Sequence, residues 1–163
     1  MAKKCTVRST ISEDSKALNL EGKSLIRIPE IATEQTQVEV LNLSHNKLRR
    51  LPISTINLRN LTTLKLNHNK LTEFPEVVVT LINLTHLFVN DNQLSSLSAN
   101  LKNLKKLEEL ELRNNKMKNL CKNIVDLNHL KKLSVAGNPL VSEEITRLVI
   151  LMALQNIFID IAG

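Results

Sequence analysis

A chain of 163 residues that is 42% hydrophobic and 23% charged has the size and composition of a single globular domain. Its formal net charge of +6 favours acidic partners in general, but it contains only three Phe and neither Trp nor Tyr, which argues against a nucleic-acid surface built on aromatic stacking. The longest apolar run, residues 148–154, is too short to span a bilayer.

Residues 1–14 are expected to form an N-terminal arm. They lack the apolar region of a signal peptide, and residue 2 is alanine, so the N-terminal glycine needed for myristoylation is absent. Basic residues surround Cys5, a setting that suits either a solvated terminus or an acylated anchor. Cys5 and Cys121 are far apart and no CxxC motif is present, which predicts reduced thiols and a cytoplasmic location.

A strict period organises the chain from residue 15 onward. The stretch LKLNHNKL at 64–71 recurs as LNLSHNKL at 41–48, LFVNDNQL at 87–94 and LELRNNKM at 110–117. The spacing is 23 residues each time, without insertion. Six units are therefore predicted, starting near residues 15, 38, 61, 84, 107 and 130, and together they cover residues 15–142.

The LxL core of each unit has the alternation of a β-strand, with apolar side chains on one face and variable ones on the other. A single strand cannot bury its own apolar face, so equivalent units must stack on one another. Parallel stacking predicts buried leucine columns and an inward asparagine at the turn that follows each strand. This structural ladder is predicted to comprise Asn46, Asn69, Asn92, Asn115 and Asn138.

The pattern LxxLxLxxNxLxxLPxxIxxLxx resembles the leucine-rich repeat. Its 23-residue length and the LP at mid-repeat resemble the intracellular Ras-group class, of which erbin and scribble are members. The resemblance implies an α/β solenoid: a right-handed superhelix in a horseshoe arc, with a parallel concave sheet of about six strands. Proline is replaced by Ser98 and Cys121 in later units, where less extended return segments are expected.

The last segment, residues 143–163, is predicted to be a C-terminal capping helix. Ser142, Glu143 and Glu144 form a suitable helix start, and Ile145, Leu148, Val149, Met152 and Ile157 recur at roughly helical spacing. A GNPL sequence followed by a helix resembles the C-terminal cap of intracellular leucine-rich repeat proteins. Surplus apolar side chains such as Phe158 leave open whether this segment only caps the array or also docks a partner or a second copy.

Outward strand positions on the concave face are the predicted partner-binding residues, because a rigid scaffold displays variable side chains there. Phe88 lies between two inward residues and is a natural anchor for a partner. His45 and His68 occupy one column on neighbouring strands, an arrangement that suits a pH-sensitive contact better than a metal site. The predicted partner-binding set is Val40, Asn42, His45, Thr63, Lys65, His68, His86, Phe88, Asn90, Glu109, Glu111 and Arg113.

Catalysis finds no support in the sequence. No phosphate-binding glycine loop, nucleophile motif, HExxH or CxxC is present, and the pair Glu109 and Glu111 is expected to face open solvent. We therefore predict no catalytic residues, no metal and no cofactor.

The predicted function is that of a protein-interaction module or scaffold, expected to be monomeric. Family resemblance implies signalling partners such as a small GTPase, a phosphatase or a signalling complex. The alternative is binding of acidic surfaces, either an anionic membrane at its periphery or, less expected, nucleic acid, through basic residues at the turn edge. A third possibility is a structural unit that self-assembles through its apolar C-terminal segment.

Overall fold

A computed structural model describes residues 15–161, so the predicted arm 1–14, with Cys5, lies outside the described residues. Seven strands form one parallel sheet in chain order. The strands are β1 Ala17–Asn19, β2 Val40–Asn42, β3 Thr63–Lys65, β4 His86–Phe88, β5 Glu109–Glu111, β6 Lys132–Ser134 and β7 Phe158–Asp160. The predicted α/β leucine-rich-repeat solenoid is thus confirmed.

The sheet registers follow the sequence period. Leu18 pairs with Leu41, Leu41 with Leu64, and Leu64 with Leu87. These inward leucines are between 0% and 3% exposed, since parallel stacking places equivalent side chains directly above one another. Almost the whole core is therefore a set of leucine, isoleucine and valine layers.

Each of the first five units returns through a short helix. The first return is α1, Glu30–Thr33, and the next four are 3₁₀ helices spanning Ile53–Asn57, Glu76–Thr80, Ala99–Asn103 and Lys122–Asp126. Every one of them begins after an extended residue.

The expected difference at Ser98 and Cys121 is absent. Ser98 has φ −64° and ψ 136°, and Cys121 has φ −63° and ψ 140°, against φ −63° and ψ 140° at Pro29. The backbone of Ser98 is supported by its hydroxyl, which accepts a 3.0 Å hydrogen bond from the amide of Asn100. Stacking on neighbouring units therefore imposes this conformation without the proline ring.

The predicted C-terminal helix is present but shorter than expected. Helix α2 spans Ser142–Leu154, and Asn156, at φ 54°, turns the chain back into the sheet as β7. The cap residue is Val141 rather than Ser142, and its side chain makes no capping bond.

The seventh strand was not predicted, because Ile157 was assigned to the helical pattern. Ile157, Ile159 and Ile161 alternate with polar or exposed residues, which is the period of a strand. Ile159 pairs with Leu133 of β6. No helix within residues 15–161 is both long and apolar enough to cross a membrane.

Candidate functional site on the concave face

The asparagine column joins neighbouring repeats through its amide groups. The Nδ2 of Asn69 donates to the carbonyls of Leu43 at 2.9 Å and Leu66 at 3.0 Å, and its Oδ1 accepts from the amide of Leu48 at 2.9 Å. Equivalent bonds occur at Asn46, Asn92, Asn115 and Asn138. Asn69 is 7% exposed, so its polar atoms serve the backbone and are not available to a partner.

The column before these asparagines has a left-handed backbone. Positive φ values occur at 66° for Gly22, 56° for His45, 52° for His68, 54° for Asp91, 53° for Asn114 and 71° for Gly137. Glycine tolerates this region freely, and Asn, Asp and His are the side-chain-bearing residues most often found there. The composition of this column therefore reflects a turn requirement.

His45 and His68 are brought together by that turn. Their rings stack with centroids 4.2 Å apart and planes inclined by 17°. The Nε2 of His45 lies 3.9 Å from Glu21 and the Nε2 of His68 lies 3.4 Å from Asp91. Within residues 15–161, His, Cys, Asp and Glu side chains form no group of three or more that could hold a metal ion.

An aromatic patch, which we define as Val40, Thr63, Lys65, His86 and Phe88, occupies the middle of the concave face. The Phe88 ring is half-buried, while Leu87 and Val89 on either side of it are fully buried. The ammonium of Lys65 lies 5.7 Å from the Phe88 ring centroid, within range of a cation–π contact. The ring of His86 lies nearly parallel to that of Phe88, with centroids 6.3 Å apart.

An ionic network, formed by Asn90, Glu109, Glu111, Lys132 and Ser134, covers the adjoining strands. The Nζ of Lys132 lies 2.6 Å from Glu111 and 2.7 Å from Glu109. The Nδ2 of Asn90 donates to Glu111 at 3.1 Å, and the Ser134 hydroxyl lies 3.4 Å from the same carboxylate.

The expectation that Glu111 faces open solvent is wrong: the residue is 7% exposed. Burial alone would raise the pKa of its carboxyl, but the hydrogen bonds from Lys132 and Asn90 and the nearby positive charges outweigh burial and lower this pKa. The same contacts raise the pKa of Lys132, mainly through its bond to Glu109. Both groups are therefore held in their charged forms at neutral pH.

A long-range ion pair places a further positive charge near Glu111. Arg113, which follows β5, pairs with Asp160 of β7. The guanidinium must extend past β6, since β6 lies between those two strands. Asp160 was missed by the sequence analysis because its segment was assigned to a helix.

Most polar groups of the predicted binding set already have partners. Asn42 donates to Glu21 at 2.8 Å, and Asn90 donates to Glu111 at 3.1 Å. Lys65 is different: among the described residues no carboxylate pairs with it. Within residues 15–161, the concave face therefore offers the unneutralised ammonium of Lys65 beside the partly exposed ring of Phe88.

Comparison with known proteins supplies a family and a fold. A family model described as a leucine-rich repeat region matches residues 30–157. No curated protein sequence matches the chain closely enough to count as a relative. An internalin (inlF) from Listeria monocytogenes is similar in structure, with a TM-score of 0.73 at 22% identity over 90% of this chain and 41% of that one.

Two plant structures are also similar. One is the BIR3–SERK2 complex from Arabidopsis thaliana, with a TM-score of 0.62 at 30% identity over 74% of this chain and 66% of that one. The other is the leucine-rich repeat ectodomain of the receptor kinase SOBIR1 from the same plant, with a TM-score of 0.55 at 26% identity, covering 70% and 63%. This chain thus spans less than two thirds of the length of each of these three structures.

Proposed function

This chain belongs to the leucine-rich repeat family, whose domains generally mediate protein–protein interaction, and we propose that it is a non-catalytic interaction module that binds a protein partner on its concave face. The observation that carries the proposal is the aromatic patch. A partly exposed ring sits on a rigid sheet, beside an ammonium that no carboxylate of the described residues neutralises. Aromatic anchors held by a rigid scaffold are typical centres of binding energy.

The chemistry of the patch indicates what the partner presents. An apolar side chain would cover Phe88, and a carboxylate would pair with the adjacent Lys65. That pairing would be partly desolvated by the aromatic ring, which makes it worth more than an exposed surface pair.

The ionic network supports a binding role over a catalytic one. A general acid needs a carboxyl with a raised pKa, whereas the contacts of Glu111 lower its pKa. Lys132 is occupied by two carboxylates. These groups therefore serve to hold the shape and charge of the face.

The finer assignments rest on resemblance. The 23-residue repeat with LP at mid-unit resembles the Ras-group class, which suggests a monomeric scaffold in intracellular signalling with a small GTPase, a phosphatase or a signalling complex as partner. A cytoplasmic location agrees with the free, half-buried thiol of Cys121. One of the similar structures is itself a complex of two proteins, which supports a protein partner here.

The alternative, binding of an anionic membrane or nucleic acid, has less support. Neither the family nor the similar structures point to it. The turn edge also carries glutamates, such as Glu73 and Glu76, among its basic residues, and these would repel a polyanion.

A paired substitution tests the proposal. Phe88→Ala combined with Lys65→Glu should abolish recovery of the partners that the wild-type chain retains in affinity purification with mass spectrometry. The matched control is Ile82→Ala with Lys105→Glu, an exposed apolar residue and an exposed lysine outside the sheet, which should retain them. Circular dichroism establishes that both variants are folded, and an unchanged set of partners in the first variant would refute the concave-face assignment.

A further inference from the structure

A second surface, distinct from the concave face, lies where the first repeats turn from strand to return helix. Two shallow depressions of about 440 Å³ and about 1120 Å³ meet there, and both are lined by Arg50, Leu51 and Ile53. We call this continuous surface the arginine groove. It crosses the first three repeats.

Three arginines line the arginine groove without partners. Among the described residues, Arg27, Arg49 and Arg50 form no ion pair and no side-chain hydrogen bond, and all three are exposed. Arg27 and Arg50 occupy equivalent positions in adjacent repeats, so their backbones lie at the close spacing of stacked units, roughly 5 Å in the sheet itself. Both arginines line the same depression, where an anionic group could pair with both and reduce the repulsion between their like charges.

Apolar side chains lie beside these charges. Ile26 is 73% exposed and Ile53 is 77% exposed, although each belongs to a repeat whose other aliphatic residues are mostly buried. Both lie in the larger depression, next to Arg27 and Arg50. The groove therefore combines aliphatic contact area with a bidentate donor for carboxylates.

Glutamates in the same groove favour an acidic peptide over a membrane surface or a nucleic acid as the bound partner. Glu73 occupies the position that Arg27 and Arg50 hold in earlier repeats, and Glu30 and Glu76 hold the position of Ile53 in the repeats on either side. A membrane surface or a nucleic acid would bring continuous negative charge against these carboxylates. A peptide can place its acidic side chains at the arginines alone.

We propose that the arginine groove binds an extended acidic peptide segment, with carboxylates on Arg27, Arg49 and Arg50 and an aliphatic side chain against Ile26 and Ile53. Three stacked units span roughly 10–15 Å, about the length of three or four extended residues. Arginine forms paired hydrogen bonds to a carboxylate, which fixes the position of the peptide along the groove.

Selection from a random-peptide phage library against the full chain tests this proposal. Bound peptides should combine Asp or Glu with an aliphatic residue, and Arg49→Glu with Arg50→Glu should weaken a selected synthetic peptide by about tenfold or more in fluorescence anisotropy. Ile53→Ser should weaken it as well. The matched control, Lys102→Glu with Lys105→Glu, reverses two exposed lysines outside the groove and should leave the affinity unchanged.

Several results would overturn the proposal. Selected peptides without acidic residues would do so, and so would peptides that respond to Phe88→Ala but not to the arginine reversals. Tighter binding of oligouridylate RNA, or of phosphatidylcholine–phosphatidylserine vesicles, that depends on the same arginines would assign the groove to a polyanion instead. Thermal unfolding of each variant separates lost binding from lost folding. None of these results depends on the concave-face proposal.

Discussion

The side-chain amide of Asn69 donates a 2.9 Å hydrogen bond to the backbone carbonyl of Leu43, which belongs to the preceding repeat. The same amide group also accepts from the backbone of Leu48. Asn69 also donates to the carbonyl of Leu66 in its own repeat, so one buried side chain joins main-chain groups of two repeats. Buried main-chain groups are costly to leave unpaired. Replacing an asparagine of the ladder should therefore destabilise the folded state.

Asn69→Ala should lower the free energy of unfolding by about 1–3 kcal/mol, because it leaves the amide of Leu48 without a partner. It also removes one of the two side-chain hydrogen bonds to the carbonyl of Leu43, which keeps the bond from Asn46. Urea unfolding followed by circular dichroism measures the change. The matched control is Asn128→Ala, which removes an exposed asparagine with no side-chain hydrogen bond among the described residues. Equal stability of the two variants would contradict the structural role of the ladder.

Helix α2 is attached to the last repeats through Glu144. Its Oε1 accepts from the buried amide of Leu120 at 2.9 Å, and its carboxylate is clamped by Arg147 at 2.6 and 2.9 Å. The Arg147 hydrogen bond, with that of Leu120, lowers the pKa of Glu144 despite its burial.

Glu144→Ala should therefore cost about 1–3 kcal/mol of unfolding free energy and speed hydrogen exchange at the Leu120 amide. Glu143→Ala is the control, since Glu143 is exposed in the same helical turn. A Leu120 amide that exchanges at the wild-type rate in Glu144→Ala would contradict this attachment.

The fold could be predicted from the sequence because the period is strict. Leu64 and its equivalents recur without insertion, and one strand-length pattern determines the register of every repeat up to β6. Beyond Ser134 the register changes, since Ser134 pairs with Asp160, 26 residues later. A pattern search at fixed spacing cannot find that strand. Its apolar alternation also covers too few residues to be distinguished from the helical pattern that precedes it.

The site could be predicted only in outline. Strand alternation places Phe88 on the concave side, since it depends on neighbours in sequence alone. Glu111 is buried, and its hydrogen bonds reach Asn90, Lys132 and Ser134 in neighbouring repeats, 21 to 23 residues away in sequence. The pattern of its own strand does not indicate these contacts. The stacking of His45 on His68 depends on a left-handed turn, for which the Gly, His, Asp and Asn composition of that column is the available sequence signal.

Stability should depend on pH through Glu111. Its folded-state pKa is below the ordinary value of 4.5, so the carboxylate contributes stability that is present above that value and is lost as pH falls through the folded pKa. Glu111→Gln should cost about 1–3 kcal/mol near pH 7, and the difference from wild type should shrink as pH falls below 4.5.

Urea unfolding across this pH range measures the effect. Glu34→Gln is the control, because Glu34 is exposed and its side chain forms no ion pair among the described residues. A constant difference between wild type and Glu111→Gln at every pH would contradict the role of the ionised carboxylate.

Thr55 presents the opposite case, a buried polar group without a partner. Thr55 is fully buried, and its Oγ1 is the one buried side-chain polar atom within residues 15–161 that lacks a hydrogen bond. The equivalent positions in the next repeats are Val78, Leu101 and Ile124, all fully buried.

Thr55→Val keeps the shape of the side chain and removes an unsatisfied hydroxyl, so it should raise the free energy of unfolding by about 1 kcal/mol. The reverse change one repeat later, Val78→Thr, should lower it by about 1–3 kcal/mol, since it introduces the same unpaired group. Urea unfolding of both variants tests the pair, and destabilisation by Thr55→Val would mean that the hydroxyl has a partner in solution.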